Sequence, residues 1–207
     1  MTAAAPILPR PRWRTLLAEY LPTVIVLVLL MAARSSFANH YVVPSGSMED
    51  TLMPGDRVLV DMRAYGLRLP FTDVVIGDRK APARGEIVVF DSPVDGVRLI
   101  KRVVAVAGDR VTLQGGRLAI NGVPLAGRDE PDVEQFETHV ARLNLAHGGG
   151  PDIDDLVVPD GKVLVLGDHR GNSLDGRMYG FVAVDAFYAR AVAVYWRSGD
   201  GPVWKSL

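Results

Sequence analysis

The segment VRLIKRVVAVA, residues 97–107, carries the strongest β-strand signal in the chain. It is rich in β-branched residues, which favour extended backbone, and Gly108 and Asp109 mark a turn at its end. Further strands are predicted at residues 57–62 (RVLVDM), 86–90 (EIVVF), 162–166 (KVLVL) and 187–196 (FYARAVAVYW). Because strand signals recur and helical periodicity is scarce, the sequence predicts an all-β or nearly all-β domain.

The bulk composition excludes several classes of protein. With 207 residues the chain is one domain, or one domain and an anchor. Its net charge of -1 gives no broad basic surface, so we expect no nucleic-acid partner. The chain has no cysteine, which excludes disulfides, thiolate metal sites and a cysteine nucleophile. The sequence shows no metal site and no cofactor site, and we expect neither.

A single long apolar run lies near the N-terminus and follows a basic segment. We predict a basic cytoplasmic tail at residues 1–14, one transmembrane helix at 15–37 and an extracytoplasmic domain at 38–207, because positive flanks stay inside. A cleaved signal peptide is the competing interpretation, since the most apolar part, residues 24–33, is short. A buried core helix is disfavoured because the apolar residues run all the way round the helix.

Directly after the apolar run, residues 41–48 (YVVPSGSM) lead from an apolar strand into a turn that carries two serines. Pro44 fixes the entry to the turn, and Gly46 lets the backbone approach a ligand closely. Such a turn can present Ser45 or Ser47 as a nucleophile. Taken alone, however, it is typical of a surface loop.

Lys101 lies inside the strongest strand, where alternate residues share a face, so it accompanies Leu99 and Val103. If this face is buried, desolvation lowers the lysine pKa and makes the amine a base. A pKa two to three units below the usual value needs about 3–4 kcal/mol of desolvation. Alternatively, Lys101 and Arg102 both reach solvent at a sheet edge.

A third cluster lies at residues 167–177 (GDHRGNSLDGR). Here Asp175 and Arg177 can form an ion pair, and Ser173 can orient a lysine amine; otherwise the cluster is a charged, glycine-rich turn. Between the clusters, residues 126–160 are acidic and polar without a sustained apolar period. We interpret them as a loose insertion, with the glycines at 148–150 as a flexible tip rather than a phosphate cradle.

The clusters together resemble bacterial type I signal peptidases, the membrane-anchored Ser/Lys endopeptidases. The resemblance rests on PSGSM and TL at residues 44–48 and 51–52, GDRVLV at 55–60, RGEIVVF at 84–90, IKRVVAVAGD at 100–109, and GDHRGNSLDGR with GFV at 167–177 and 180–182. It implies a mainly β fold of coiled antiparallel sheets behind one N-terminal transmembrane helix.

The resemblance also implies roles for individual residues. Ser47 is similar to the nucleophile and Lys101 to the general base, while Ser45 and the Ser47 backbone N–H are similar to the oxyanion hole. The residues that would orient the lysine or support the site are Ser173, Asp175, Arg177, Arg102 and Asp168. The residues that would line shallow substrate pockets are Tyr41, Val43, Pro44, Met48, Leu52 and Ile100.

The implied function is removal of N-terminal signal peptides from exported preproteins after small residues, of Ala-x-Ala type, through an acyl-enzyme. The implied partners are signal peptides, membrane lipid and the secretion translocon. The implied location is the bacterial inner membrane, crossed once, with the catalytic domain on the periplasmic side.

Some alternatives stay open at this point. The chain has His169 and Gly171 where the familiar family pattern has Asn and Asp, so His169 is a second candidate for the base. A Ser-His-Asp triad with Asp168 is disfavoured, because the orienting aspartate normally comes from elsewhere in the chain. A self-cleaving repressor would carry a helix-turn-helix, which the sequence lacks. A catalytically inactive, membrane-anchored β-domain that binds partners is the remaining alternative.

Overall fold

The computed structural model describes residues 12–36, 38–68, 72, 74–77 and 79–207, which form two helices and sixteen strands. Helix α1 spans Arg12–Ser36, and the single-turn helix α2 spans Gly176–Tyr179. Three 3-10 turns lie at Gly46–Met48, Arg170–Asn172 and Val184–Ala186.

The strands follow one another closely along the chain. They are β1 Ala38–Val42, β2 Arg57–Asp61, β3 Leu67–Arg68, β4 Val75–Ile76, β5 Ile87–Asp91, β6 Arg98–Val106, β7 Arg110–Gln114, β8 Arg117–Ile120, β9 Val123–Pro124, β10 Val133–Gln135, β11 Val140–Arg142, β12 Ile153–Val157, β13 Lys162–Leu166, β14 Val182–Ala183, β15 Phe187–Arg197 and β16 Gly201–Ser206.

Eight of these strands form the main sheet, in the order β1-β2-β15-β5-β6-β13-β14, with β16 added beside β15. The pairs within it are antiparallel. The five strands predicted from β-branched runs are all present, which confirms the mainly β, antiparallel architecture. Strand β6, built from the 97–107 segment, is interior, so both of its edges are hydrogen-bonded.

A four-stranded sheet, β12-β7-β8-β9, packs beside the main sheet, and two small hairpins, β3-β4 and β10-β11, complete the architecture. Strand β6 contributes to both cores, because Val104 and Ala105 pack with the four-stranded sheet while Val103 packs with Val88 and Phe90. This double burial explains why the segment is almost continuously apolar.

Helix α1 exposes every described side chain from residue 16 to residue 31. Among the described residues, no helix has the combination of length and hydropathy that crossing a membrane requires, so the predicted transmembrane helix at 15–37 is not found there. Of the predicted basic tail at residues 1–14, residues 1–11 lie outside the described residues and residues 12–14 begin helix α1. Phe37, the last residue of the predicted transmembrane helix, also lies outside the described residues.

Residues 126–160 pack more closely than a loose insertion would. They contain β10, β11 and β12, and they bury Glu134, Ala141 and Leu143. The glycines at 148–150, expected to form a flexible tip, are also closely packed. A Cβ on Gly149 would lie only 2.2 Å from the carbonyl carbon of Gly115. The sequence lacks a visible period here because the apolar residues are few and meet partners far away in the chain.

Candidate active site

The turn that carries Ser47 is held rigidly at both ends. Strand β1 ends at Val42, and the next residue, Val43, is hydrogen-bonded to the turn that precedes β2. Its N–H donates to the Asp56 carbonyl (2.9 Å), and its carbonyl accepts from the Gly55 N–H (2.8 Å). On the other side, the fully buried side chain of Met48 anchors the turn in the core. The hydroxyl of Ser47 is thereby presented from a fixed backbone.

Lys101 meets Ser47 at this point, with its Nζ 2.5 Å from the Ser47 Oγ. It projects from the middle of β6, where its Cα is paired with that of Val88 in β5. Both side chains are shielded from solvent, with 3% of Lys101 and 7% of Ser47 exposed. Of the two alternatives left open by the sequence, the structure therefore shows burial of Lys101, and the alternative in which Lys101 and Arg102 both reach solvent is wrong.

Burial lowers the pKa of Lys101 from 10.5 to about 8, because the charged ammonium loses its hydration. The carboxylates of Asp175 and Asp168 oppose this shift by favouring the ammonium, and the positive charge of Arg177 adds to it. An amine in this range is neutral in an appreciable fraction of molecules near neutral pH. It can therefore accept a proton from a hydroxyl.

Ser45 lies on the open side of the turn and is exposed. Its hydroxyl is 3.5 Å from the Ser47 Oγ, which is the outer limit of a hydrogen bond. The backbone of Ser45 is extended. The site thus has two neighbouring hydroxyls, of which one faces the lysine and the other faces the solvent.

Arg102 and Asp168 form a buried, two-pronged ion pair beneath the site. The Arg102 Nε and Nη2 donate to the two carboxylate oxygens of Asp168 at 2.9 and 2.7 Å. Thr51 also donates to Asp168, at 2.6 Å, and the Arg102 Nη1 donates to the Gly85 carbonyl at 2.7 Å. The pair therefore ties β6 to the end of β13 and to the segment after Ser47.

Asp175 and Arg177 form the second buried pair. The Arg177 Nε and Nη2 each donate to Asp175 at 2.8 Å, and the Gly167 N–H donates to Asp175 at 3.0 Å. Arg177 also donates to the carbonyls of Gly149 and Arg170, both at 2.6 Å. The ion pair expected from the sequence is thus formed, and it fixes the loop that faces Lys101.

Ser173 does not make the expected contact with the lysine amine. Its Oγ is buried without a hydrogen-bond partner among the described residues, while the Lys101 amine is turned towards Ser47. The Ser173 Oγ instead lies against Gly167, 2.3 Å from where a Cβ on that residue would be. The Ser47 carbonyl oxygen is 2.4 Å from the same point, so only glycine fits between the two serines.

His169 lies beside the turn, but both of its ring nitrogens have other partners. Its Nδ1 is 2.8 Å from the Glu49 Oε2 and 3.2 Å from the Gly46 carbonyl oxygen. Its Nε2 is 2.9 Å from the Nδ1 of His147. The amine that contacts the Ser47 hydroxyl comes from Lys101, which favours the lysine over the histidine as the base.

An apolar cleft of about 140 Å³ lies next to the serine turn, along β1 and the start of β6. Four of the expected pocket residues line it: Tyr41, Val43, Pro44 and Ile100. Arg98 lies at its rim and donates to the Tyr41 hydroxyl at 3.1 Å. Met48 and Leu52 do not line this cleft, because both are fully buried in the core beneath it.

The sequence interpretation missed a third buried ion pair, Glu134 with Arg170. The Arg170 Nη2 donates to the Glu134 Oε2 at 2.5 Å, and both side chains are fully buried. Glu134 also accepts from the Leu118 N–H at 2.9 Å. Arg170 could have been found from the sequence, because it lies in the GDHRGNS motif of the third cluster. Nothing in the acidic segment distinguishes Glu134 from a surface residue.

The part of the chain that the structure describes holds no group of three or more histidine, aspartate or glutamate side chains placed to bind a metal ion.

Comparison with known proteins places these observations in a family. The model of the family "Signal peptidase, peptidase S26" matches residues 17–196. A probable signal peptidase I-2 of Synechocystis is 33% identical over 180 residues, with 84% of this chain and 70% of that protein covered. The signal peptidase I of Pseudomonas fluorescens is 34% identical over 169 residues, with 74% of this chain and 60% of that protein covered.

Among solved structures, a signal peptidase I from Enterococcus faecalis V583 is 30% identical, with a TM-score of 0.39. The match covers 54% of this chain and 97% of the Enterococcus chain.

The serine turn and the family match together define a serine endopeptidase. The chain belongs to the signal peptidase family, peptidase S26. That membership confirms the resemblance stated from the sequence motifs.

Proposed function

We propose that this chain removes signal peptides from exported preproteins by means of a Ser47/Lys101 dyad. The observation that carries the proposal is the 2.5 Å contact between the Lys101 Nζ and the Ser47 Oγ, which are both shielded from solvent. A serine hydroxyl is a weak nucleophile until a base stands next to it. A buried amine whose pKa is about 8 is such a base.

In the proposed mechanism, the neutral Lys101 amine takes the Ser47 proton while the Oγ attacks the scissile carbonyl carbon. The resulting ammonium gives its proton to the nitrogen of the leaving peptide as the C–N bond breaks. The signal peptide stays attached to Ser47 as an ester. Lys101 then removes a proton from a water molecule, which attacks the ester carbonyl carbon. The Lys101 ammonium returns this proton to the Ser47 Oγ as the ester C–O bond breaks, and the signal peptide leaves with a free carboxyl end.

The negative oxygen of the tetrahedral intermediate needs donors that are in place beforehand. We assign this role to the Ser45 hydroxyl and the Ser47 backbone N–H. Support comes from the exposed position of Ser45, with its hydroxyl 3.5 Å from the Ser47 Oγ on the open side of the turn.

We propose that the substrate binds as an extended strand beside β1. This strand lies at one end of the main sheet, with β2 as its neighbour, and an added strand would form main-chain hydrogen bonds there. Alternate substrate side chains would then enter the cleft of about 140 Å³ near Tyr41 and Ile100. We propose that the side chains lining this cleft select small residues such as alanine near the cut.

The site would act next to a lipid surface. The described apolar side chains of α1 between residues 16 and 31 are all exposed, and β1 follows the helix almost directly. We propose that α1 attaches the protein to the bacterial inner membrane, with the β-domain on the periplasmic side near the secretion translocon. Attachment would bring Ser47 close to signal peptides that are held in the bilayer.

The test is cleavage of an Ala-x-Ala preprotein in liposomes by the wild type, Ser47→Ala, Lys101→Ala and His169→Ala, between pH 6 and 10. We expect Ser47→Ala and Lys101→Ala to be inactive, and wild-type activity to rise with pH as the lysine loses its proton near pH 8. A dead His169→Ala beside an active Lys101→Ala would make histidine the base. A wild type that cuts nothing would favour the inactive binding domain.

A further inference from the structure

A row of three polar side chains, Glu49, His169 and His147, supports the serine turn. The Glu49 Oε2 lies 2.8 Å from the His169 Nδ1, and the His169 Nε2 lies 2.9 Å from the His147 Nδ1. The two imidazole rings are 5.0 Å apart between centroids. His169 is buried, so its ring is held in place by these partners and by packing.

The partners of the ring fix where its proton lies. The Nδ1 faces the Gly46 carbonyl oxygen at 3.2 Å and the Glu49 carboxylate at 2.8 Å. A carbonyl oxygen and an ionised carboxylate only accept hydrogen bonds, so the Nδ1 carries a proton and donates. In the neutral ring the Nε2 then accepts from the Nδ1–H of His147.

The Gly46 carbonyl belongs to the same peptide unit as the Ser47 N–H. Because a trans peptide is planar, its C=O and N–H point in opposite directions, and fixing one fixes the other. His169 holds this plane through the Gly46 oxygen, together with the Glu49 backbone N–H, which donates to the same oxygen at 3.1 Å. It holds the next plane through its own backbone N–H, which donates to the Ser47 carbonyl at 3.1 Å. One residue therefore orients the peptide planes on both sides of the nucleophile.

We infer that His169, supported by His147 and Glu49, is a positioning residue that aims the Ser47 N–H at the oxyanion. The inference rests on the proposed function, because it assigns the orientation of a donor within that site. It also gives the 126–160 segment a role, since His147 comes from that segment and reaches the serine turn through His169.

The contact of Glu49 with the turn agrees with this role. A Cβ on Gly46 would lie 2.4 Å from the Glu49 Oε1, so the carboxylate is packed directly over the peptide that His169 holds. A larger residue at position 46 would displace the end of the Glu49 side chain from its place beside the ring.

The test compares steady-state cleavage by the full chain carrying His169→Ala, His169→Asn or His147→Ala. The matched control is His139→Gln, a histidine of the same 126–160 segment that lies outside the row. We expect His169→Ala to lower kcat by about 10- to 100-fold with KM within about twofold. This is less than the roughly 100- to 1,000-fold loss when an oxyanion donor is removed outright, because the Ser47 N–H stays in the chain and loses only its orientation. His169→Asn should recover most of kcat, because its amide N–H can still donate to the Gly46 oxygen.

For His147→Ala we expect a smaller loss of kcat, about threefold to tenfold, because the ring keeps its contacts with Glu49 and Gly46. The pH at which activity rises should stay near 8 in every active variant, since the base is unchanged. An unchanged kcat in His169→Ala, a loss confined to KM, or an asparagine variant no better than alanine would each overturn the inference. The inference would also be overturned if the activity of an active variant no longer rose with pH near 8.

A measurement that needs no turnover separates this inference from the proposed function. The 15N–1H signal of the Ser47 amide should shift in His169→Ala, return towards its original position in His169→Asn, and stay unchanged in His139→Gln. If the wild type cuts no preprotein but the signal behaves in this way, the proposed function fails and the positioning role stands. If preprotein is cut but the signal does not move, the positioning role fails.

Thermal unfolding of each variant guards against a general loss of structure. If His169→Ala unfolds at a lower temperature than the wild type, cleavage by His169→Asn is compared with cleavage by His169→Leu instead. Both variants are then assayed below the temperatures at which they unfold. These two side chains are similar in size, and only asparagine can donate to the Gly46 oxygen. Equal kcat values for the two would overturn the positioning role.

Discussion

The Lys101 Nζ lies 2.5 Å from the Ser47 Oγ, although 54 positions separate the two residues in the chain. The contact forms because an interior strand carries the lysine and a turn after the edge strand β1 carries the serine. A lysine in the middle of an apolar strand costs the fold stability, since its charge loses hydration. Such a cost is typical of a functional site.

The first prediction is that Lys101→Met abolishes activity and stabilises the fold. A lysine pKa lowered from 10.5 to about 8 corresponds to about 3 kcal/mol, at about 1.4 kcal/mol per pKa unit. Methionine fills similar space without a charge to desolvate. We expect the free energy of unfolding, measured with urea at pH 7, to rise by about 3 kcal/mol.

The size of this effect depends on pH in a defined way. The folded-state pKa of Lys101 is lowered, so the cost of its burial is complete below about pH 8 and disappears as pH rises towards 10.5. The advantage of Lys101→Met should therefore shrink between pH 8 and 10.5. The exposed Lys80 provides the control, and Lys80→Met should show no such trend. A methionine variant less stable than the wild type at pH 7 would contradict the prediction.

The second prediction concerns the buried pair of Arg102 and Asp168, whose atoms approach to 2.7 Å. Arg102→Met leaves the Asp168 carboxylate buried with Thr51 as its remaining side-chain partner. Removing one member of a buried pair costs about 3–5 kcal/mol. We expect Arg102→Met to lower the free energy of unfolding by this amount.

The matched control is the surface pair of Arg117 and Asp132, whose atoms are 2.6 Å apart with both side chains well exposed. Exposed pairs contribute about 0–1 kcal/mol. Arg117→Met should therefore change the free energy of unfolding by less than about 1 kcal/mol. Equal effects in the two variants would mean that Arg102 is not the support that its contacts indicate.

The sequence predicts this fold well wherever local chemistry decides it. β-Branched runs identified the strands. The alternation around Lys101 indicated that one of two adjacent cations points inward, whereas both Lys101 and Arg102 are buried because β6 is covered on both faces. The serine turn and the Asp175–Arg177 pair also followed from the residue types and their spacing. These features depend on neighbours within a few positions, which a single sequence shows directly.

The missed features all join distant parts of the chain. Glu134 pairs with Arg170 across 36 positions, and His147 contacts His169 across 22. Neither Glu134 nor His147 lies in a periodic apolar segment, so nothing local distinguishes it from a surface residue. The same reason explains why residues 126–160 were expected to be loose. Their burial comes from partners in β8 and in the 167–177 cluster rather than from their own pattern.

The third prediction is that Gly149→Ala destabilises the loop that faces Lys101. A Cβ at this position would lie 2.2 Å from the Gly115 carbonyl carbon and 2.3 Å from the Gly116 nitrogen, so backbone must move. Overpacking of this kind costs about 1–3 kcal/mol. Because the Gly149 carbonyl accepts from Arg177 at 2.6 Å, the displacement also disturbs the Asp175–Arg177 pair. We expect lower activity together with a lower melting temperature.

Gly127 provides the control for this substitution. A Cβ there would meet no atom within 4 Å, and its φ lies outside the left-handed region. Gly127→Ala should leave stability unchanged or raise it slightly, by restricting the unfolded chain. If Gly149→Ala has the same melting temperature as Gly127→Ala, the three glycines are better interpreted as a flexible tip.

The fourth prediction is that Ile100 limits the size of the substrate side chain that enters the cleft beside β1. Ile100 lines the cleft of about 140 Å³, and Ile100→Ala would enlarge it by three carbon atoms. A pocket distinguishes substrates by about 10- to 200-fold for each methylene that fits or clashes. In preproteins with alanine or leucine at the third position before the cut, Ile100→Ala should raise the leucine-to-alanine ratio of kcat/KM by at least about tenfold.

Val123→Ala, on the exposed strand β9, should leave the ratio unchanged. If Ile100→Ala lowers cleavage of both substrates equally, Ile100 supports the site without setting its specificity, and the cleft that selects the side chain lies elsewhere.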